Sequence, residues 1–182
     1  MYIKCQLKLK KYVYKDVMES TLILGAGCFW GVEVLFEEMP GVSKVIVGYS
    51  GGQTENPGYE QVCTGQTGHI EVVKIDYDSS VVSFVELLDK FFFIHDPTTV
   101  NRQGPDVGQQ YMSVIFYNTD EEKNLAEQKI KEIDVSGEHN NKIVTELREA
   151  VKFYLAEEDH QDYVEKNGKV CFHQLYVQHK TN

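Results

Sequence analysis

The segment TLILGAGCFWGVEVLFEEM, residues 21–39, constrains the chain more than any other stretch. A short apolar run ends at Gly25, small residues follow, and from Cys28 the apolar positions Phe29, Val32, Phe36 and Met39 recur at helical spacing. This reads as a buried strand, a tight turn and a helix spanning 28–39. Pro40 and Gly41 stop that helix, and VSKVIVGYS (42–50) sets β-branched residues in near alternation, a second strand. The breaker-rich loop GGQTENPG comes next.

HIEVVKIDYD (69–78) has the clearest strand alternation, and SFVELLDKFFFIHD (83–96) has the period and length of a buried helix. Residues 97–110 form a polar, glycine-bearing loop, and YMSVIFY (111–117) a strand. Thr119 with Glu122 resembles a capping box opening the amphipathic helix DEEKNLAEQKIKEI. KIVTEL (142–147) is the last strand, and AEEDHQDYVEKN adds a helix before the tail. The order β-α-β-β-α-β predicts an α+β fold, a two-layer sandwich with a ferredoxin-like core, a mixed or antiparallel sheet, and an extra C-terminal helix and tail. At 182 residues the chain has the size of one domain. Residues 1–20 are expected to be an extension and 21–182 a single catalytic domain.

Charge narrows the partners. The net charge is −10, and no run of lysine or arginine interleaved with aromatics occurs after residue 15, which argues against nucleic acid and anionic membrane. Five lysines interrupt the first 20 residues too often to leave a signal-peptide core, and no apolar stretch approaches the roughly 18 residues of a membrane-spanning helix. The expected compartment is the cytoplasm. Cys5, Cys28, Cys63 and Cys171 lie far apart, with no C-x-x-C pair and no zinc spacing, so no metal site is expected.

Of the four thiols, Cys28 stands where its chemistry would change. A cysteine at the first turn of a helix faces unpaired N–H groups and the positive helix end, both of which favour thiolate. The neighbouring glycines keep the approach to sulfur open. On local sequence alone, a buried structural cysteine at a strand end is an equal reading.

The whole string decides between them. Gly27-Cys28-Phe29-Trp30-Gly31 resembles the nucleophile signature of the A-type methionine sulfoxide reductases. Four further motifs of that family follow in the same order: VGYSGG (47–52), NPGYEQVCTGQTGHIEVV (56–73), HDPTTVNRQGPDVGQQY (95–111) and AEEDHQDY (156–163). The resemblance covers residues 21 to about 171.

It implies attack by Cys28 on the sulfur of a methionine sulfoxide, leaving a sulfenic acid on Cys28 and releasing methionine. A sulfoxide oxygen leaves only if protonated, and the match of TGHIEVV to the family's strand makes Glu71 the acid, its pKa raised by a partly apolar site. A lone strand glutamate otherwise belongs to a solvated face. The resemblance further implies that Tyr59 and Tyr111 bond the sulfoxide oxygen and that Asp106 is a polar wall. Phe29 and Trp30 would grip the substrate methyl, which accounts for preference for the S epimer.

Regeneration requires a second thiol, and Cys171, in the glycine-bearing tail, is the expected resolving residue. Its surroundings, Asn167-Gly168-Lys169-Val170-Cys171, lack the proline and tyrosine frequent in the family. Other departures are Gly58, Met112 and Asp159, where threonine, arginine and an aromatic are usual. Cys63 reads as packing within a short helix, and Cys5 lies outside the resemblance. His69, His95 and His160 read as neutral residues holding loops, and His139, His173 and His179 as surface residues. No bound cofactor is expected; thioredoxin is the implied reductant, and oxidised proteins and free methionine S-sulfoxide are the implied substrates. Two other readings stand beside this one: a Cys-His acyl-transfer hydrolase using Cys28 with His69 or His95, and a non-catalytic binder of oxidised methionine.

Overall fold

The computed structural model describes residues 18–168 and residue 176. Strand β1 (Glu19–Ala26) leads into α1 (Phe29–Glu37), β2 (Val42–Ser50) and the short α2 (Tyr59–Cys63). Then come β3 (Ile70–Asp78), α3 (Phe84–Ile94), the two-residue strands β4 (Arg102–Gln103) and β5 (Asp106–Val107), and a 3-10 turn at Gln109–Tyr111. The series ends with β6 (Ser113–Tyr117), α4 (Asp120–Ser136), β7 (Glu146–Glu149), β8 (Tyr154–Leu155) and α5 (Tyr163–Asn167).

The main sheet has the order β7-β6-β1-β3-β2-β8. Every neighbouring pair is antiparallel except β6 with β7, which is parallel. Within it, β6-β1-β3-β2 is the expected ferredoxin-like core: α1 carries the chain from β1 over β3 to β2. The fold is thus α+β with a mixed sheet, as the pattern of elements predicts.

Strand alternation explains the two cores. Val73, Ile75 and Tyr77 of β3 join Leu22 and Leu24 of β1 and the buried faces of α1 and α3 in the larger cluster. Ile70 and Val72 point the other way and pack with Ile23, Met112, Val114 and Phe116, against which Ala150 and Phe153 lie. Glu71 shares the face of Val73, so its carboxyl is delivered to the side where α1 begins.

Caps set the helix starts. Ser83 Oγ accepts from the Glu86 amide at 3.2 Å while Glu86 Oε2 accepts from the Ser83 amide at 2.8 Å, a complete capping box on α3. On α4 only half of the predicted box forms: Thr119 Oγ1 accepts from the Glu122 amide at 3.1 Å, but Glu122 turns to the Asn118 amide at 2.6 Å.

Four expectations need correction. The loop 97–110 contains the β4–β5 hairpin. The strand expected at 142–147 begins only at Glu146, because the Ile143 amide donates to Asp134 Oδ1 and the Val144 amide to the Pro97 carbonyl. The C-terminal helix is confined to Tyr163–Asn167, since Asp162, at φ 51, stands in the left-handed region that a helix cannot pass through. Strand β1 also starts earlier than predicted, at Glu19. No helix among the described residues is long and apolar enough to cross a membrane.

Candidate active site

Cys28 is the N-cap of α1, with φ −54 and ψ 116, and it is half-buried. The turn before it depends on Gly27, at φ 94, a conformation open to glycine at no steric cost. Gly25 permits the close approach of β1 to its neighbours: a Cβ there would stand 2.7 Å from Val114 Cγ1. Strand and turn therefore place Cys28 at the N-terminal end of a nine-residue helix.

Glu71 is 1% exposed, and its Oε2 accepts from the Phe29 amide at 3.1 Å. Burial raises its pKa most, the Asp106 carboxyl raises it further, and the Phe29 bond works against both; the result is pushed up to about 8. Near neutral pH this side chain therefore keeps its proton, beside the residue that follows Cys28.

Tyr111, half-buried in the 3-10 turn, feels the same groups. Its pKa is raised first by burial and then by Glu71, Cys63, Asp106 and Cys28. One phenol is thus coupled electrostatically to the sulfur, the acid and Asp106. The Asp106 carboxyl, on β5, is itself raised by burial. Tyr59 is the first residue of α2, and burial, Glu71 and Cys63 raise its pKa; its hydroxyl donates to the Cys63 sulfur. That bond corrects the reading of Cys63 as a packing residue, since Cys63 is exposed and ends α2 beside a predicted substrate-binding tyrosine.

Phe29 and Trp30 fall into different surroundings. Phe29 is 1% exposed and belongs to the core, its ring 5.9 Å from Tyr49 and 6.5 Å from Tyr59. Trp30 is partly buried and stacks on Tyr163 at 3.7 Å between centroids. His160 lies 4.2 Å from Tyr59 and 5.6 Å from Trp30, closing an aromatic cluster drawn from three segments.

Sequence reasoning missed Glu157. Its Oε1 accepts from the Tyr59 amide at 2.8 Å and its Oε2 from the Tyr49 hydroxyl at 2.9 Å. Gln161 docks the same segment on β2 through the Val47 amide and carbonyl, both at 3.0 Å. The only sequence signal was membership in AEEDHQDY, quoted as a motif without a role for its glutamates.

The histidines behave mostly as read. His69 Nδ1 accepts from the Gly52 amide at 3.1 Å and Nε2 bonds the Thr54 carbonyl at 2.8 Å, which ties the 51–56 loop to β3. His95 bonds the Phe91 carbonyl and Ser113 Oγ. A base role for either would break these bonds, which weighs against the hydrolase reading. His139, expected at the surface, is half-buried. Cys5, Cys171, His173 and His179 lie outside the described residues.

Known proteins resemble this chain over most of its length. A family model described as peptide methionine sulfoxide reductase matches residues 20–182. The peptide methionine sulfoxide reductase MsrA of Natronomonas pharaonis is 50% identical over 163 residues, covering 90% of this chain and 92% of that protein. The reduced form of Mxr1 from Saccharomyces cerevisiae superposes with a TM-score of 0.78 at 37% identity, covering 87% of this chain and 91% of that one. Mxr1 in complex with Trx2 gives 0.55 at 27% identity, covering 85% and 91%. The chain belongs to the peptide methionine sulfoxide reductase family.

Proposed function

We propose that the chain reduces methionine S-sulfoxide, free and in proteins, with Cys28 as nucleophile and Glu71 as proton donor. The Cys28 thiolate attacks the sulfoxide sulfur, Glu71 protonates the departing oxygen, and methionine leaves with the oxygen retained as a sulfenic acid on Cys28. Tyr59 and Tyr111 bond that oxygen, Asp106 holds the polar wall, and the methyl group is received at Trp30, backed by the buried Phe29. Cys171 then displaces water from the sulfenic acid to form a disulfide, which an external dithiol reduces. No bound cofactor takes part in this chemistry. The complex of the yeast relative with Trx2 supports a thioredoxin as that dithiol; the setting that goes with this chemistry is the cytoplasm, and its role the repair of oxidised proteins.

One observation carries the reading: a buried carboxyl that holds its proton to about pH 8 accepts from the amide next to Cys28. The test is turnover of separated S and R sulfoxide peptides with dithiothreitol, alongside Cys28→Ser and Cys171→Ser. Conversion of the S epimer alone, lost in Cys28→Ser, is expected. Cys171→Ser should keep activity with dithiothreitol and lose it with thioredoxin. Absence of turnover by the wild type would sink the proposal.

A further inference from the structure

Away from the nucleophile, the opposite end of α1 carries an unusual concentration of negative charge. Glu33 and Glu37 lie one turn apart on α1, and Asp162, the N-cap of α5, joins them. One carboxylate oxygen from each falls within 4.8 Å of the other two. Glu33 is 1% exposed, and its Oε1 is buried with no hydrogen-bond partner among the described residues. A buried carboxylate oxygen left without a donor is costly, and folded proteins rarely tolerate one.

The neighbouring basic residue does not relieve the cost. Lys166 Nζ reaches Asp162 Oδ2 at 3.4 Å and Glu158 Oε1 at 3.7 Å, and neither Glu33 nor Glu37. Among the described residues no lysine or arginine pairs with Glu33 or Glu37. Glu33 does accept backbone hydrogen bonds from Asp162 and Tyr163, so its side chain is held across the junction of α1 and α5 rather than displaced into solvent.

We propose that Glu33, Glu37 and Asp162 bind a hard divalent cation of the calcium type. Two oxygens each about 2.4 Å from one ion stand at most about 4.8 Å apart, so the spread of these carboxylates fits a single calcium shell. Magnesium needs shorter bonds, near-ideal octahedral geometry and reluctant dehydration, and it suits the group less. A cleft of about 540 Å³ lined by Glu37, Glu158 and Asp162 opens beside the group and admits the waters that complete a shell of six to eight oxygens. The ion would tie the helix that begins at Cys28 to the turn leading into the last segment of the chain. This site is separate from the sulfoxide chemistry and does not depend on it.

Trp30, the sole tryptophan, sits one turn before Glu33 and stacks on Tyr163, so it can sensitise the emission of a bound terbium ion. The experiment titrates Tb³⁺ into the full chain while exciting Trp30, competes with Ca²⁺, and records melting temperature with and without Ca²⁺. Saturable emission displaced by Ca²⁺, a melting temperature raised by a few degrees, and affinity weakened at least about tenfold in Glu37→Gln and in Asp162→Asn are expected. Glu37 is exposed, so Glu37→Gln serves as the variant least able to disturb folding. The proposal is overturned if emission does not saturate, if Ca²⁺ neither displaces Tb³⁺ nor shifts melting, or if both variants bind as the wild type does.

Discussion

The Phe29 amide donates to Glu71 Oε2 at 3.1 Å, so the helix that presents Cys28 begins on the buried acid itself. Cys28 and Glu71, the proposed nucleophile and proton donor, are thereby tied together by one hydrogen bond between β3 and the start of α1. The bond also moderates the acid: burial alone would push the pKa higher, and the amide pulls it back to about 8.

Replacing that acid tests the arrangement directly. Glu71→Gln should lower kcat by about 10² to 10⁴, the usual contribution of a positioned acid. Wild-type activity should decline as pH rises through about 8, where Glu71 loses its proton, and the residual activity of the variant should not follow that decline. Stability changes in the same window. The folded-state pKa lies above the unfolded one, so the wild type loses stability as pH rises from about 4.3 toward about 8, amounting to a few kcal/mol that Glu71→Gln does not lose. Parallel pH–stability curves for the two proteins would contradict this.

Glu157 predicts a different signature. It is solvent-exposed, and partial desolvation works to raise its pKa, yet bonds from the Tyr59 amide, its own amide and the Tyr49 hydroxyl hold it below the usual range. Glu157→Gln should raise KM by about threefold to tenfold with a smaller change in kcat, since it loosens Tyr59 without touching the thiol or the acid. The folded pKa is depressed, so this clamp contributes above the unfolded value and is lost only as pH falls below about 4.3. Equal loss of kcat and KM effects, or a difference that vanishes at neutral pH, would refute the role.

Cys63 can be followed by alkylation in a chain whose other cysteines are replaced by serine. Desolvation raises its pKa and donation from Tyr59 lowers it, with a net rise. The rate should therefore show a midpoint above the ordinary thiol value of about 8.5, and Tyr59→Phe should move it higher still. A midpoint below about 8.5 would mean that the thiol is not placed as described.

Gly48 on β2 allows Phe153 and the Tyr154 carbonyl to approach the strand so closely that a Cβ would collide with both. Relief would require displacing β8, which pairs through Gly48 and Tyr49. Gly48→Ala is expected to cost about 1–3 kcal/mol in urea unfolding and to raise KM as well, because Glu157 follows β8 closely in the chain. A variant of unchanged stability would show that β8 can shift without penalty.

Much of the architecture was legible because its causes are local. The alternation of β3, the capping residue Thr119, and the switch from strand to helical period around Gly25–Cys28 all act within a few residues. The resemblance carried by five motifs named the site residues, but not how they meet. The short pairings β4–β5 and β8 escaped notice because two-residue strands have no period to read, and the C-terminal helix was overextended because nothing in AEEDHQDY announces a left-handed backbone at Asp162.

By itself the sequence determined the order of the long strands and helices, the place of Cys28 at a helix start, and the face of β3 on which Glu71 stands. These follow from backbone periodicity and turn chemistry, which a residue shares only with near neighbours. The tertiary structure alone decided that Glu71 would bond an amide 42 positions away, that Glu157 would hold Tyr59 across 98 positions, and that Glu33 would be buried beside Asp162. Such contacts depend on which strands lie side by side and on which carboxylates lose their water, and both arise only when the sheet and helices close around a common core.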